Sequence, residues 1–470
     1  MPRSRPFILL LGLILLTAAA PQPTVARPGE RLGWELDYTV TATGTLNPGL
    51  SQLALTTTLE ITTPEGGLSA LILGVKMRGL SAWTQGTVTV DGVPVVPTWT
   101  RTMGLTLDLA GAPWVTGSQH TVVVEGVIDW LRSTDRQGQL RRTGSGSSLV
   151  LSAGDFLPLP VSPGFLYPVY SDALSAPAAR LIRFTLVSPV DLPAAGVALA
   201  GRHIEGPASG SGRRWTAEIG PSRSYALLIG RNYGMAMRTL NLAGPGGGLQ
   251  PISVRVYGPS ATVRLTDLAT AVRALEVFTA KFGPGPYTDY KVVGAASGGF
   301  AHEYPGLVLI GNNFTATQRR HVVRHEVAHW WWHSLVVNDQ GHDGWLDESL
   351  AEWSAGRAWG NTAAPAYACT RTIDQPNSSA GYPTLFGTNG TFQCIYQKGA
   401  AFWYRLGATI GFTRLEGCLK SYAAANRFRV VGPVVLAQAL RDCDERVMRV
   451  LRPTTNSYPF LSKATVDATR

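Results

Sequence analysis

The chain has 470 residues, of which 45% are hydrophobic and 15% are charged, and its formal net charge is +10. This length and apolar content support two or three folded domains and exclude an intrinsically disordered chain. The basic residues are scattered and do not form a stripe that alternates with aromatic side chains, so a nucleic-acid-binding protein is not expected.

The first residues have the pattern of an export signal. Arg3 and Arg5 precede the apolar run FILLLGLILLTAAA, and small residues follow, with candidate cleavage positions after Ala20 and after Ala26. The run is short for a bilayer span, so we expect no membrane span in the mature chain, with an uncleaved anchor as the alternative. We therefore predict a signal peptide over residues 1–26 and a protein that is secreted, periplasmic or associated with the cell envelope.

Two regions of different character follow. Residues 27–245 alternate apolar and polar side chains, as in WELDYTVTAT and HTVVVEGVID, with turn residues between the runs, which predicts a β-rich domain. The glycine-rich segment AGPGGG at 243–248 marks the predicted boundary. Residues 250–452 form a second predicted domain that combines helices with short strands and in which helices dominate from residue 346 onwards, and residues 453–470 are predicted to form an irregular tail. The predicted fold class is therefore α+β.

Several elements of the second region can be predicted individually. LTDLATAVRALEVFTAKFGPGP predicts a helix that ends at Gly283, and KVVGA and GLVLIG predict two short strands. Thr315 and Gln318 have the spacing of a capping box, which predicts a long helix through TATQRRHVVRHEVAHWWWHSLVV. Because its three consecutive tryptophans point in different directions, that helix should be buried nearly all round. Two further helices are predicted in WLDESLAEWSAGRAW and KGAAFWYRLGATIG.

Four histidines occur at steps of four residues, at His321, His325, His329 and His333. Neighbours at this spacing lie one helical turn apart, so any adjacent pair could reach one metal ion. Only the pair His325 and His329 has a glutamate, Glu326, directly after its first member. This is the HExxH motif, in which two imidazoles bind Zn²⁺ and the glutamate faces the water on the metal. The outer two histidines are predicted either to pack in the core or to orient the ligands.

A third ligand distinguishes the classes of HExxH protein. The pattern HExxHxxGxxH would need glycine at position 332 and histidine at position 335, which hold Trp332 and Leu335. Glu348 instead lies in WLDESLAEW, with 18 residues between it and His329. Together with His325 it would complete a three-residue zinc site that keeps a fourth position for water, which is typical of catalytic sites. The alternative for Glu348 is an acidic residue favoured by the helix dipole.

The segment HEVAHWWWHSLVVNDQGHDGWLDESLAEW resembles the aminopeptidase N family of gluzincin metallopeptidases, which pairs HExxH with a glutamate 18 residues on. FGPGPY resembles the family's helix-to-strand junction, and YQKGAAFWYRLGATIG resembles its segment with a catalytic tyrosine. The resemblance runs from about residue 255 to 450 and extends more weakly over the β-rich half. It implies an N-terminal saddle-like domain, a thermolysin-like and mainly helical catalytic domain, and one zinc ion.

The resemblance also implies roles for individual residues. Glu303, in GGFAHEYPGLVLI, corresponds to the glutamate of a Gly-Ala-Met-Glu-Asn motif that binds the substrate's α-amine, with His302 and Tyr304 in place of the methionine and the asparagine. The alternative for Glu303 is an ordinary loop carboxylate. Tyr396, in YQKG, corresponds to the tyrosine that donates a hydrogen bond to the developing oxyanion. Asp347 either supports the site or is a charge at the start of a helix.

The motif and the resemblance together predict a zinc metallo-aminopeptidase that acts on peptides with a free N-terminus. Because the amine-binding motif is irregular, a zinc endopeptidase or another zinc hydrolase is one alternative. A non-catalytic peptide-binding protein on the same scaffold is a second. Larger members of the family carry a long helical domain over the site, whereas this sequence ends soon after the catalytic region. We therefore expect a short form with an open cleft, or one that a partner covers.

The four cysteines are Cys369, Cys394, Cys418 and Cys443. An even number in an exported protein favours two disulfides, for which three pairings exist. We predict Cys369–Cys394 and Cys418–Cys443, with buried reduced thiols as the alternative.

Overall fold

The computed structural model describes residues 36–100, 103–134, 140–161, 178–206, 211–294, 298–374 and 388–451, together with residues 460, 461 and 467. The predicted signal peptide and most of the predicted tail lie outside the described residues. Within the described part of the chain, none of the helices has the length and apolarity that a bilayer crossing requires.

Strands fill the first half of the chain, as the alternating pattern predicts. A short α-helix, α1, lies among them at Lys76–Gly79. The strands are β1 (Asp37–Leu46), β2 (Gln52–Thr62), β3 (Ala70–Gly74), β4 (Trp83–Val90), β5 (Val93–Pro94), β6 (Thr98–Thr100), β7 (Gly104–Asp108), β8 (Gln119–Asp129), β9 (Leu140–Thr143), β10 (Val150–Gly154), β11 (Leu159–Pro160), β12 (Leu181–Pro193), β13 (Val197–Leu199), β14 (Arg202–Glu205), β15 (Ser211–Ile219) and β16 (Ala226–Gly230).

These strands form one large and two small sheets. The large sheet has eight strands in the order β14-β15-β12-β1-β2-β8-β4-β5, and the small sheets have the orders β13-β16-β10-β9 and β11-β3-β7-β6. Every second residue of β1 is buried, so one face of the large sheet covers the core. In β10 and β16 every residue is buried, which is the pattern of strands covered on both faces.

The second half alternates a small sheet with helices. Its strands are β17 (Gly234–Ala243), β18 (Leu249–Gly258), β19 (Asp289–Gly294), β20 (Ala301–Tyr304), β21 (Leu307–Ile310), β22 (Val336–Val337) and β23 (Arg429–Val430). Its helices are α2 (Ala261–Phe282), α3 (Ala316–Ala328), α4 (Gln340–Asp343), α5 (Trp345–Arg357), a π-helix (Phe392–Lys398), α6 (Gly399–Ile410), α7 (Phe412–Ala425), α8 (Pro433–Cys443) and α9 (Met448–Leu451).

The sheet of the second half has five strands in the order β17-β18-β19-β21-β20. The glycine-rich segment 243–248 is the turn of the antiparallel hairpin β17–β18, with Gly247 at a φ of 83°. This sheet therefore begins at Gly234, upstream of the predicted boundary, and the division into domains remains a prediction. Strand β20, which the sequence did not indicate, pairs with β21 at the edge of the sheet.

The helix boundaries around the histidines are set by identifiable contacts. Helix α2 ends at Gly283 as predicted, where φ is 85°. The capping box of Thr315 and Gln318 opens α3, which confirms that part of the prediction. The prediction of a long helix through the tryptophans is wrong, because α3 ends at Ala328.

The three tryptophans explain the early end of α3. Trp330, Trp331 and Trp332 lie in turns and are each exposed by no more than 1%. Trp331 donates a hydrogen bond to the carbonyl oxygen of Gly283 (3.0 Å), and Trp332 donates one to the hydroxyl of Ser354 (3.2 Å). These contacts fix the end of α3 between α2 and α5. An uninterrupted helix would point the indoles of Trp331 and Trp332 away from these two acceptors.

The two halves share one continuous apolar core. Polar contacts also join them: the buried ammonium group of Lys291 donates to the carbonyl oxygen of Gly201. Tyr287 donates to the carbonyl oxygen of Pro221 (2.8 Å). The five-stranded sheet is thus anchored against the strands of the first half.

Two disulfides are present, Cys369–Cys394 and Cys418–Cys443, which confirms the predicted pairing. The first attaches the π-helix to the segment before residue 374, and the second attaches α7 to the end of α8. The presence of both bonds agrees with a protein that folds in an oxidising compartment.

Candidate functional site

Helices α3 and α5 bring three of the predicted residues together. His325 lies in the last turn of α3, and His329 caps that helix with φ −62° and ψ −12°, so the helical spacing of the pair is retained. Glu348 lies in the first turn of α5. The Nε2 atoms of the two histidines are 3.0 Å apart, and Glu348 Oε2 is 3.0 Å from the first and 3.4 Å from the second. All three side chains are buried.

These separations suit a single metal ion. Ligand atoms about 2.0–2.1 Å from a tetrahedral zinc ion are about 3.3 Å apart, which agrees with the observed 3.0 to 3.4 Å. Two imidazole nitrogens that face each other at 3.0 Å repel unless a cation or a proton lies between them. His325, His329 and Glu348 therefore form a donor set that could hold one ion.

The outer nitrogens of both histidines are occupied by hydrogen-bond acceptors. His329 Nδ1 donates to the carbonyl oxygen of Trp332 (3.1 Å), and His325 Nδ1 donates to Glu352 Oε2 (3.2 Å). Because a carbonyl and a carboxylate can only accept, the proton of each neutral ring is at Nδ1, and Nε2 carries the lone pair that faces the cluster.

Glu352 contacts this cluster and was not identified by the sequence analysis. It lies one turn after Glu348 on the same face of α5, and this four-residue spacing was the available signal. Its carboxylate also accepts a hydrogen bond from His321 Nε2 (2.9 Å). Of the two predicted alternatives for His321, the structure therefore supports a residue that helps to orient a ligand.

The electrostatics of the cluster favour bound positive charge. Burial alone would raise the pKa of Glu348, but hydrogen bonds from His325 and His329 hold it well below its ordinary range. Burial alone would lower the pKa of His325, whereas its hydrogen bonds to Glu348 and Glu352 raise it to about 10. Glu348 is thus ionised, as a metal ligand must be, and the imidazoles lie in a field that attracts a cation.

Glu326 lies beside this cluster in the interior. It is 5% exposed, and among the described residues its Oε2 atom has no hydrogen-bond partner. Burial raises its pKa, an effect that the positive field of His325 and His329 reduces. A buried carboxylate oxygen without a partner is costly unless it faces a bound water or ligand. Glu326 therefore has the environment of a general base.

Strand β20 and the π-helix bring the remaining two predicted residues to the same place. Glu303, in β20, offers a carboxylate oxygen within 4.8 Å of atoms of Glu326 and His329. The ring of Tyr396 stacks on the imidazole of His325, with centroids 5.7 Å apart and an angle of 19° between the rings. Phe392 stacks on Tyr396 at 5.8 Å. Glu303 and Tyr396 thus flank the histidine cluster.

Gln340 is a second residue that the sequence analysis did not identify. Its amide nitrogen donates to Glu303 Oε1 (2.8 Å) and to Asp347 Oδ2, and it lies 3.1 Å from His333 Nδ1. No local sequence signal indicates these contacts, because they join α4, α5, β20 and the turn after α3. Asp347 is 1% exposed, which favours the alternative that it supports the site.

Comparison with known proteins defines the class to which this fold belongs. No protein-family model and no curated protein sequence matches the chain. Solved structures do match it, and the fold is that of the M1 zinc metallopeptidases. The α+β fold class and the fold implied by the resemblance to the aminopeptidase N family are thereby confirmed.

Three of these structures are particularly informative. The M1 zinc metallopeptidase from Deinococcus radiodurans is 18% identical, with a TM-score of 0.61 over 92% of this chain and 97% of that one. A mutant of it bound to a Tyr-Ser-Ala substrate is 18% identical, with a TM-score of 0.60 and the same coverage. Legionella pneumophila aminopeptidase A in complex with aspartic acid is 15% identical, with a TM-score of 0.63 over 88% of this chain and 49% of that one.

Proposed function

We propose that the protein is a zinc-dependent aminopeptidase that releases N-terminal residues from peptides. The observation that carries this proposal is the convergence of His325, His329 and Glu348 next to Glu326, whose Oε2 atom is buried without a partner among the described residues. A purely structural zinc site would fill all four positions with protein ligands and would need no adjacent base.

The residues that would hold zinc are His325, His329 and Glu348. When bound, zinc would polarise the scissile carbonyl and lower the pKa of water to about 7. When the two rings are neutral, the acceptors at Trp332 and Glu352 keep the proton at Nδ1 and leave the Nε2 lone pairs available for this ion.

Glu326 would move the proton. Its raised pKa, caused mainly by burial, makes the carboxylate a better proton acceptor than an exposed glutamate. It would take the proton from the attacking water and then deliver it to the leaving amine. The Tyr290 hydroxyl donates to the main-chain oxygen of Glu326 (3.0 Å), which fixes the backbone of the base.

Tyr396 and Glu303 would position the substrate. The Tyr396 phenol is a hydrogen-bond donor for the oxyanion that develops on the carbonyl, and stacking between His325 and Phe392 restrains its ring. The Glu303 carboxylate would pair with the substrate's α-ammonium group. The Glu303 carboxylate lies within 4.8 Å of atoms of Glu326 and His329. Because the amine would be held this close to the base, cleavage would be limited to the first peptide bond.

The related structures support the same substrate class. The Deinococcus structure contains a Tyr-Ser-Ala substrate, and the Legionella aminopeptidase A structure contains aspartic acid. As part of the proposal, we take peptides with a free N-terminus to be the substrates of this protein as well. Export through residues 1–26 also belongs to it, supported by the signal-like sequence and by the two disulfides.

The test is hydrolysis of one leucyl peptide amide with its amine either free or acetylated, by purified mature protein with and without a zinc chelator. We expect chelator-sensitive cleavage of the free amine alone. Glu326→Gln serves as the control that keeps the metal ligands and removes the base. Cleavage of both substrates would identify an endopeptidase and discard the role of Glu303, and zinc-loaded protein that cleaves neither would refute the proposal.

A further inference from the structure

Gln340 lies at the centre of a buried polar group beside the proposed zinc ligands. It is 3% exposed, and Glu303 and Asp347, on either side of it, are 5% and 1% exposed. Oxygen atoms of the two carboxylates and His333 Nδ1 all lie within 4.8 Å of one another. The amide nitrogen of Gln340 is within hydrogen-bond distance of all three, so it occupies the space between them.

The orientation of this amide is determined by its neighbours. The nitrogen end has two hydrogens, and two carboxylate oxygens, of Glu303 and Asp347, accept them. The carbonyl end has no hydrogen, so a flipped amide would place its oxygen against both anions. Gln340 therefore donates in both directions and links the two carboxylates.

This link connects two elements of the proposed site. Asp347 directly precedes Glu348 in α5, whereas Glu303 lies on the edge strand β20. Without a hydrogen-bond donor between them, two buried carboxylates this close would repel each other. The hydrogen bonds of Gln340 thus hold Glu303 at a set distance from the helix that carries a zinc ligand.

We infer that Gln340 is a positioning residue that sets the carboxylate of Glu303 to receive the substrate's α-ammonium group, and so determines the preference for free N-termini. The inference rests on the proposed function. The role assigned to Gln340 affects the affinity for the substrate's amine and does not involve the zinc ligands or the base.

Asn338 offers a matched control in the same region. It is also a buried amide, 4% exposed, and it donates to the other oxygen of Asp347 (3.0 Å) and to the carbonyl oxygen of Asp343 (3.1 Å). Neither of its contacts is with Glu303. Asn338→Leu and Gln340→Met each remove an amide donor from Asp347, but only the second change affects the amine anchor.

The experiment compares leucine hydroxamate with 4-methylpentanoic hydroxamate, which lacks only the α-amine. Both bind zinc through the hydroxamate, and calorimetric titration of zinc-loaded full-length protein gives a dissociation constant for each. For the unmodified protein we expect the amine to improve affinity about 10- to 100-fold, as a charge-assisted hydrogen bond in a buried site does. Gln340→Met should reduce this ratio at least about tenfold, and Asn338→Leu should leave it within about twofold.

Two further measurements complete the test. Zinc content, measured by mass spectrometry, should stay at one ion per chain in every variant. Gln340→Asn, which keeps the amide but shortens it by one methylene, replaces Gln340→Met if the latter does not fold, and it should also reduce the ratio.

The outcomes are distinguishable. A ratio near one in the unmodified protein would refute the amine anchor and with it the proposed aminopeptidase. The affinity ratio could instead stay large in Gln340→Met, or fall equally in Asn338→Leu. Either result would refute only the role of Gln340 and would leave the proposed aminopeptidase unaffected. Loss of the ratio only in the Gln340 variants, at full zinc content, is the result that we expect.

Discussion

Breaking either disulfide removes a constraint of the same size from the unfolded chain. Cys369–Cys394 and Cys418–Cys443 each join residues that are 25 apart in sequence. For a loop of this length the chain-entropy relation gives about 3.5 kcal/mol of stabilisation at 25 °C. We therefore expect Cys369→Ser/Cys394→Ser and Cys418→Ser/Cys443→Ser to lower the free energy of unfolding by similar amounts.

Their effects on catalysis should differ, because only one of the two bonds reaches the proposed site. Cys394 lies in the π-helix, two residues before Tyr396, and is 5% exposed. Cys418 and Cys443 join α7 to α8, beyond α6. Without the first bond the π-helix loses its covalent attachment, and a shift of about 1 Å in the phenol would reduce kcat about 100-fold.

The assay combines urea unfolding with hydrolysis of a leucyl peptide amide under conditions where each variant is fully folded. We expect similar losses of stability, a fall of about 10- to 100-fold in kcat for Cys369→Ser/Cys394→Ser, and a change of no more than about twofold for the other pair. Equal kcat values in the two variants would refute the reasoning that the first disulfide positions Tyr396. Clearly unequal losses of stability would instead refute the chain-entropy account.

Three other perturbations separate the roles of the remaining residues. Glu326→Gln should keep one zinc ion per chain and lose about 10²- to 10⁴-fold in kcat, and a protein that retains its activity would exclude Glu326 as the base. Glu352→Gln weakens the hydrogen-bond acceptor of His325 Nδ1. Zinc affinity, measured by competition with a chromophoric chelator, should therefore fall about 10- to 100-fold. Unchanged affinity would mean that this hydrogen bond does not orient the ligand. Free zinc at about 100 times its dissociation constant should stabilise the folded protein by about 2.7 kcal/mol, measured by chemical unfolding with and without chelator. The same stabilisation in a His325→Ala/His329→Ala variant would place the ion elsewhere.

Local signals in the sequence predicted those parts of the structure that neighbouring residues determine. The capping box at Thr315 and the end of α2 at Gly283 depend on contacts within a few residues, and both predictions are confirmed. The alternation in β1 matches its burial because strand periodicity is also a local property. The pair His325 and His329 stays together for the same reason, since His329 keeps helical dihedral angles even though α3 ends before it.

Tertiary contacts determined the features that the sequence did not reveal. Strand β20 has the sequence AHEY, whose polar residues hide the strand pattern, and it forms because β21 provides a partner. Helix α3 stops at Ala328 because buried indoles require turns there. The π-helix around Tyr396 uses residues that would equally suit an α-helix. Gln340 reaches Glu303 across 37 positions, a contact that only the assembled fold creates.

The hairpin β17–β18 has a practical consequence for anyone who wishes to express the second half by itself. The glycine-rich turn at 243–248 looks like a suitable place to begin a shortened protein. A fragment that starts at Leu249 would, however, lose β17 and leave one entire side of β18 without hydrogen-bond partners. Such an unprotected strand is a template for aggregation. A fragment that begins between Gly230 and Gly234, after β16, would keep the five-stranded sheet whole.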